Sequence, residues 1–419
     1  MPLKLNGSTS GYVIVDAPAV AGTNTLTLPA VTDTVTTNAA TQTLSNKTLS
    51  SPTITGTATS TGDISTTGTV VMGSSFLRNR IINGAMVIDQ RNAGASVSIS
   101  SAAYTLDRYQ MGCTGGGVYT CQQSSTVPSG FSKSMALTVT TPDSSIAATD
   151  YYVIQQAIEG LNVYDLGWGA SGALTVTLSF WVRSSITGTY AGSLVDSATT
   201  TSYVFTYTIN VANTWEQKTI TISGPTTGTW NTNNTASIYL ILDLGSGSNR
   251  NGTASTWQTA ASYYTRTSGS TNWIATNGAT FYLTGVQFEV GSVATPFERR
   301  LYGQELALCQ RYYQKSFAQG TVPQNLVYTV STTIACHGGS NGWSPHIPFK
   351  VTMRASPTVT TYGNSGLWQS YVGGSWGNWT TTNVGASDNG LYIDLASGNA
   401  VTTGYSYLLR GDYVANAEL

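Results

Sequence analysis

The sequence of 419 residues contains few charged side chains. Lysine, arginine, aspartate and glutamate make up 9% of it, whereas about a quarter is usual in globular proteins. Eighteen basic residues spread over this length provide no basic face for phosphates, so we expect no nucleic-acid partner. Threonine, serine, asparagine and glycine must therefore supply most of the polar surface.

Histidine and cysteine are also scarce, with two and four residues respectively. The sequence has no metal-binding spacing, no CxxC pair, and no phosphate or dinucleotide motif, so we expect no cofactor and no metal. Cys113 and Cys121 enclose CTGGGVYTC, in which three glycines are compatible with a hairpin that brings the thiols together. Bridges are rare in proteins made in a reducing cytosol, and the sequence leaves this pairing open.

Long apolar runs are missing as well. No stretch of 18 apolar residues occurs, and the N-terminal MPLKLNGSTS lacks the basic and apolar regions of a signal peptide. We therefore expect a protein that is made in the cytoplasm, does not insert into a membrane, and does not use ordinary secretion.

The residues that are abundant favour β structure. Threonine, valine, isoleucine and 24 tyrosines favour strands, while 44 glycines supply turns. Between residues 76 and 298, strand candidates follow one another with short polar turns, and they cover 104–111, 134–141, 150–160, 173–185, 203–211, 215–223, 237–245 and 280–291. Within one of them, Leu174, Val176, Leu178 and Phe180 alternate with polar residues and point one way. This pattern predicts a jelly-roll β-sandwich over 76–298.

The remaining segments complete an all-β prediction. Residues 299–317 carry the one helical pattern and are predicted to form a short connector. Residues 318–419 return to strand-like sequence and predict a smaller distal β-sandwich domain.

Residues 1–75 have no tryptophan and a single tyrosine. In 55–71, TGTATSTGDISTTGTVV, a Thr-Gly pair recurs every six residues, and each pair is followed by Ala58, Ile64 or Val70. One strand with so little apolar surface is not stable alone, but three intertwined chains would bury one apolar residue per repeat. The repeat predicts the shaft of a homotrimer, and a disordered Thr/Gly linker is the alternative.

Several stretches resemble known proteins. SGYVIVDAPAVAGTNTLTLP (10–29) and ATQTLSNKTLSSPTITG (40–56) resemble the N-terminal segments of tail fibres of tailed bacteriophages. FLRNRIINGAMVIDQR (76–91) with AYTLDRYQ resembles the start of a carbohydrate-binding-module-like sandwich of phage fibres and appendages, and 285–316 resembles its end and connector. PFKVTMRASPTVT (348–360) is similar to a strand pair in the small domains that follow.

This resemblance implies a function and a location. It implies a homotrimeric fibre in the virion tail, attached to a tail or adaptor protein through residues 1–50. It further implies that the β domains bind a host surface polysaccharide or lipopolysaccharide. A polysaccharide depolymerase and a purely structural virion fibre are the two alternatives.

Residues for catalysis are few. Cys336 and His337 are adjacent, and neighbouring strand residues face opposite sides, so they do not form a pair. The candidate carboxylates are Glu159, Asp165 and Asp243, and a glycosidase needs two of them about 5–10 Å apart. Turn and strand-end roles explain these residues more simply, and we expect no enzymatic activity. The RGD triplet at 410–412 is interpreted as a chance occurrence.

Aromatic residues among polar ones are typical of sugar-binding surfaces, because rings stack on the apolar face of a saccharide. The first cluster, in 249–278, contains Trp257, Tyr263 and Trp273. The second, in 366–383, contains Trp368, Tyr371, Trp376 and Trp379, and its glycines are predicted to place the rings on a turn. We expect the second cluster to be the main glycan site and the first a secondary one; the alternative is that these rings cap the β cores.

Overall fold

The computed structural model describes residues 3–6, 9–15, 78–325, 332–337, 345–363, 368–372, 374–379, 381–395 and 405–419. The predicted shaft at 55–71 and most of the predicted attachment segment 1–50 lie outside these ranges. The chain divides into two units, Met1–Val71 and Met72–Leu419. In the first unit, β1 (Leu3–Asn6) pairs antiparallel with β2 (Tyr12–Val15).

A sandwich of two antiparallel sheets forms the larger part of the second unit. Its strands, in chain order, are β3 (Val97–Ile99), β4 (Ala103–Tyr104), β5 (Gln110–Cys113), β6 (Val118–Ser124), β7 (Ser134–Thr141), β8 (Tyr152–Glu159), β9 (Val176–Ser184), β10 (Gly188–Asp196), β11 (Thr201–Ile209), β12 (Glu216–Ile222), β13 (Ala236–Asp243), β14 (Trp257–Thr259) and β15 (Thr280–Val290). One sheet has the order β14-β11-β10-β13-β8-β5-β4, and the other β12-β9-β15-β7-β6-β3. The all-β sandwich prediction is confirmed.

The core lies between these two sheets and follows from the alternation along the strands. Val176, Leu178 and Phe180 of β9 are fully buried, as the sequence predicts, whereas Leu174 lies before the strand and is exposed. β10 was not predicted from the sequence, because its glycines and small polar residues resemble a loop. It nevertheless pairs with both β11 and β13 in the middle of the seven-stranded sheet.

Cys113 and Cys121 are both free and buried. Cys113 ends β5 in the seven-stranded sheet, and Cys121 lies in β6 of the six-stranded sheet. The glycines between them therefore join two sheets instead of turning a hairpin within one. Burial raises the pKa of the Cys121 thiol to about 12, which keeps it protonated and unreactive at neutral pH.

The predicted connector at 299–317 is only partly helical. Helix α1 covers Tyr302–Gln310, and β16 (Tyr313–Lys315) follows almost directly. The helix ends early because Tyr313 pairs with Asn416 of the last strand, so tertiary pairing overrides the helical pattern.

The distal region is built around one long strand. Its strands are β17 (Thr332–His337), β18 (His346–Pro348), β19 (Thr358–Tyr362), β20 (Trp368–Val372), β21 (Ser375–Trp379), β22 (Thr381–Ala386), β23 (Gly390–Leu395) and β24 (Ser406–Asn416). β24 pairs with β16 and β19 near its C-terminal end and with β17 and β20 near its N-terminal end. β18, β23 and β22 form a separate small sheet.

The C-terminal residues fasten this region to the sandwich. The Glu418 carboxylate pairs with the guanidinium groups of Arg91 and Arg108, and the Tyr104 hydroxyl donates to the Leu419 carbonyl at 2.7 Å. The sandwich and the distal region both belong to the unit Met72–Leu419, and the boundaries at 298 and 317 stay a prediction. Among the described residues, no helix has the length and apolar character needed to cross a membrane.

Candidate functional site

A groove lies on the outer face of the seven-stranded sheet, opposite the sandwich core. In the register of the sheet, Ile241 of β13 lies between Gln155 of β8 and Ser193 of β10, and Tyr239 lies beside Val195. Directly opposite residues of antiparallel strands point to the same side, so these side chains share the outer face. Their sequence neighbours, including Ile154, Leu194, Leu240 and Leu242, point into the core.

The floor of the groove is apolar and its wall is aromatic. Val153, Val195 and Ile241 are buried in a small cluster of their own, covered by tyrosines at positions 151, 239 and 263. The groove encloses ≈ 210 Å³. Its lining consists of Gln155, Val195, Thr199, Tyr239, Ile241 and Tyr263.

Arg250 holds the aromatic wall in place. Its guanidinium lies 4.2 Å from the ring centroid of Tyr263 and 5.5 Å from that of Tyr151. Arg250 Nη1 also donates to Ser262 Oγ at 2.7 Å and to the Tyr263 carbonyl at 3.2 Å. Cations over ring faces and hydrogen bonds to the loop backbone together fix the loop that carries Tyr263.

The polar groups around the groove can donate and accept hydrogen bonds. Burial raises the pKa of the Tyr239 and Tyr263 hydroxyls, so both remain protonated donors at neutral pH. The Gln155 side-chain amide donates to Gln110 Oε1 of the neighbouring strand β5, which fixes the position of this amide. The exposed Thr199 hydroxyl lies at the turn between β10 and β11.

The three candidate carboxylates have structural partners. Glu159 binds Arg311 and the Tyr312 hydroxyl. Asp243 accepts from Thr265 Oγ1 at 2.6 Å and from the amides of the turn that follows it. Along the paired strands β8 and β13, Glu159 and Asp243 mark opposite ends, roughly 20 Å apart at about 3.3 Å per residue. Asp165 pairs with Arg80 at 2.5 Å outside this sheet, so each of the three carboxylates is bound by a neighbouring side chain.

The structure separates the aromatic residues of the first predicted cluster. Tyr263 forms part of the groove wall, as described above. Trp257 is half-buried at the sheet edge, 5.5 Å from both Trp168 and Trp230 between ring centroids, and its indole N–H donates to the Ser223 carbonyl. Trp273 is 0% exposed and packs edge-on against Tyr119 in the core. The expectation of a sugar contact at Trp273 is therefore corrected, because its ring has no free face.

The second predicted cluster is also divided. β20 and β21 form a hairpin that pairs Trp368 with Trp379 and Tyr371 with Trp376. The rings thus belong to strands and not to a turn, contrary to the prediction. Trp368 and Tyr371 are three residues apart, so they face opposite sides: Trp368 is 0% exposed in the distal core, and Tyr371 is 42% exposed. The expected contact at Trp368 is corrected for the same reason as at Trp273, and the Trp379 side chain lies outside what the structure describes.

Sequence reasoning missed most of the groove. Gln155, Val195, Tyr239 and Ile241 come from three strands that meet only through long-range pairing. The one local signal was Tyr239 and Ile241 in SIYLILDLG, where apolar residues occupy both faces of a strand. A strand with two apolar faces has its outer face covered by something, and here the cover is the loop that carries Tyr263.

No protein-family model and no curated protein matches this chain. Among solved structures, the enzymatically active domain of tailspike protein 4 of bacteriophage CBA120 is 13% identical over 51% of this chain and 21% of that chain, with a TM-score of 0.28. The family 11 carbohydrate-binding module from Clostridium thermocellum is 10% identical over 48% of this chain and 98% of that chain, with a TM-score of 0.24. The module TmCBM61, in complex with β-1,4-galactotriose, is 9% identical over 52% of this chain and 99% of that chain, with a TM-score of 0.24. The aligned part thus spans about a fifth of the tailspike domain.

Proposed function

We propose that this chain is the receptor-binding fibre of a tailed bacteriophage and binds a host surface glycan in the groove of its sandwich. The observation that carries the proposal is the lining of the groove. The half-buried rings of Tyr239 and Tyr263 offer apolar surface to the flat face of a sugar ring, while Gln155 and Thr199 offer groups that bind hydroxyls.

The proposal is one of binding and not of hydrolysis. Glycoside cleavage needs an acid and a second carboxylate on either side of the scissile bond. The groove lining contains no carboxylate, and Glu159 and Asp243 are held by Arg311 and Thr265 at the two ends of the sheet. A groove of amides, hydroxyls and tyrosines holds a saccharide without a group to protonate its glycosidic oxygen.

The place in the virion and the trimeric state belong to the same proposal. They rest on the resemblance of 10–29 and 40–56 to tail-fibre segments and on the six-residue repeat at 55–71. One stacked ring contributes on the order of 1 kcal/mol beyond its buried area, so a single groove binds weakly. Three grooves on one fibre would raise the avidity for a repetitive polysaccharide without any new contact.

An array of oligosaccharides from bacterial surface polysaccharides tests the proposal. The wild-type chain should bind a defined subset of the array, and Tyr263→Ala should weaken that binding at least tenfold, because the wall of the groove is lost. Tyr302→Ala is the control, since Tyr302 is an exposed tyrosine of α1 that does not line the groove. Equal binding by Tyr263→Ala and wild type would show that the groove is not the glycan site.

A further inference from the structure

The distal sheet carries a second exposed surface with its own chemistry. In the register of β17, β24, β20 and β21, one cross-strand row consists of Ala335, Leu408, Tyr371 and Trp376. The next row on the same face consists of Thr333, Arg410, Gln369 and Asn378. Here these two rows are called the distal aromatic face.

The first row is apolar and open to solvent. Tyr371 and Leu408 are each 42% exposed, and the Tyr371 and Trp376 ring centroids lie 5.3 Å apart with tilted planes. The opposite side of the same strands is core: Leu409 and Trp368 are fully buried there. The exposed Tyr371 ring and the half-buried Trp376 ring are thus held on a pair of strands.

The second row is a ladder of planar polar groups. The Arg410 Nε donates to Gln369 Oε1 at 2.8 Å, and the Gln369 side-chain amide donates to Asn378 Oδ1 at 2.7 Å. The Arg410 guanidinium lies 3.9 Å from the ring centroid of Trp376, which joins the ladder to the aromatic row. The two terminal nitrogens of Arg410 are therefore held beside the Trp376 ring, whose neighbour is the exposed Tyr371.

Arg410 gives this face a positive charge. Within the described part of the chain, Arg410 makes no ion pair with a carboxylate. Asp412, two residues further on, is 2% exposed and bonds to Ser316 Oγ at 2.6 Å. Gly411 between them lies against the Trp368 ring. The RGD triplet is therefore part of a strand, and Arg410 is the member of it that faces solvent.

We propose that the distal aromatic face is a second saccharide site, which takes a sugar that carries a carboxylate. The pyranose ring would stack on Tyr371, beside the Trp376 ring that the Arg410 guanidinium lies over, and its carboxylate would pair with the Arg410 terminal nitrogens, whose planar fork matches carboxylate geometry. This site is separate from the groove, in which no charged side chain forms part of the lining.

The test measures binding of the full chain to oligosaccharides that contain glucuronate, galacturonate or sialate, each beside its carboxyl-reduced counterpart. All variants carry Tyr263→Ala, so that the groove does not contribute. The background protein should bind at least one acidic oligosaccharide about tenfold more tightly than its reduced form. Arg410→Gln should abolish that preference, and Arg410→Lys, which keeps the charge, should retain part of it.

The aromatic row has a matched control. Tyr371→Ala should weaken binding of the acidic oligosaccharide, whereas Tyr392→Ala should leave it unchanged, because Tyr392 is also 42% exposed but belongs to the separate small sheet. Melting temperatures establish that each variant is folded.

Three results would overturn the proposal. One is that no acidic member of the panel binds to the Tyr263→Ala background. Another is that the preference for the acidic form survives Arg410→Gln. The third is that Trp376→Ala changes the sedimenting mass, which would make this face a contact between copies of the chain. The groove is tested separately, by oligosaccharide binding that wild type shows and the Tyr263→Ala variant lacks.

Discussion

Glu159 ends β8 with 1% of its side chain exposed, and its carboxylate is bound by the Arg311 guanidinium and the Tyr312 hydroxyl. Removing it leaves Arg311 without a counter-charge at the junction of sandwich and connector. We predict that Glu159→Ala lowers the free energy of unfolding by about 3 kcal/mol, measured by urea denaturation. Asp165→Ala is the matched control: Asp165 also pairs with an arginine at 2.5 Å, but its side chain is 41% exposed, so the loss should stay below about 1 kcal/mol. Equal losses in the free energy of unfolding would mean that burial does not determine how much each ion pair stabilises the fold.

The buried Asp107 is expected to make the stability of the fold depend on pH. It is buried, and burial raises its pKa from 3.8 to about 6, although Gln90 donates to both of its oxygens. Between these two values the folded chain retains a proton that the unfolded chain has released, so stability falls as pH rises through this window. From pH 4 to 6.5, wild type should lose roughly 2–3 kcal/mol relative to Asp107→Asn, which cannot titrate. The prediction is wrong if the free energies of unfolding of the two proteins change with pH in parallel.

In the β20–β21 hairpin, side chains alternate between the two faces of each strand, and this decides which aromatic rings are buried. Trp368 is a core residue and Tyr371 is a surface residue of the same strand. Trp368→Ala should therefore cost about 3–5 kcal/mol, and Tyr371→Ala no more than about 0.5 kcal/mol. Thermal unfolding of both variants checks this, and a large loss for Tyr371→Ala would place its ring in the core.

The strands that the sequence predicts well are long and regular. β7, β8 and β9 each have one apolar face packed in the core, so the local pattern and the tertiary structure agree. β10 and the end of α1 were not predicted, because pairing with distant strands determines them. The site was predictable only in part for the same reason. Composition indicated Tyr263, Tyr371 and Trp376 as candidates, whereas the burial of Trp368 depends on strand register and Trp273 lies in a short 3-10 turn outside the strands.

The chain consists of two units. Met72–Leu419 contains the sandwich and the distal region, and the sequence of Met1–Val71 carries the six-residue repeat. If the repeat is the shaft of a trimer, the whole chain should sediment at about three times 44.1 kDa, the mass of one chain. Residues 72–419 alone should fold with the same melting temperature within a few degrees and lose the trimeric mass. Sedimentation of the whole chain near 44.1 kDa at micromolar concentration would refute the trimeric shaft.

Glycan binding in the groove is the central claim, and a crystal structure with the strongest array ligand tests it most directly. We expect electron density for a sugar ring against Tyr239 and Tyr263, with hydroxyls in reach of Gln155. Density for that ligand elsewhere on residues 72–419, with the groove empty, would contradict it.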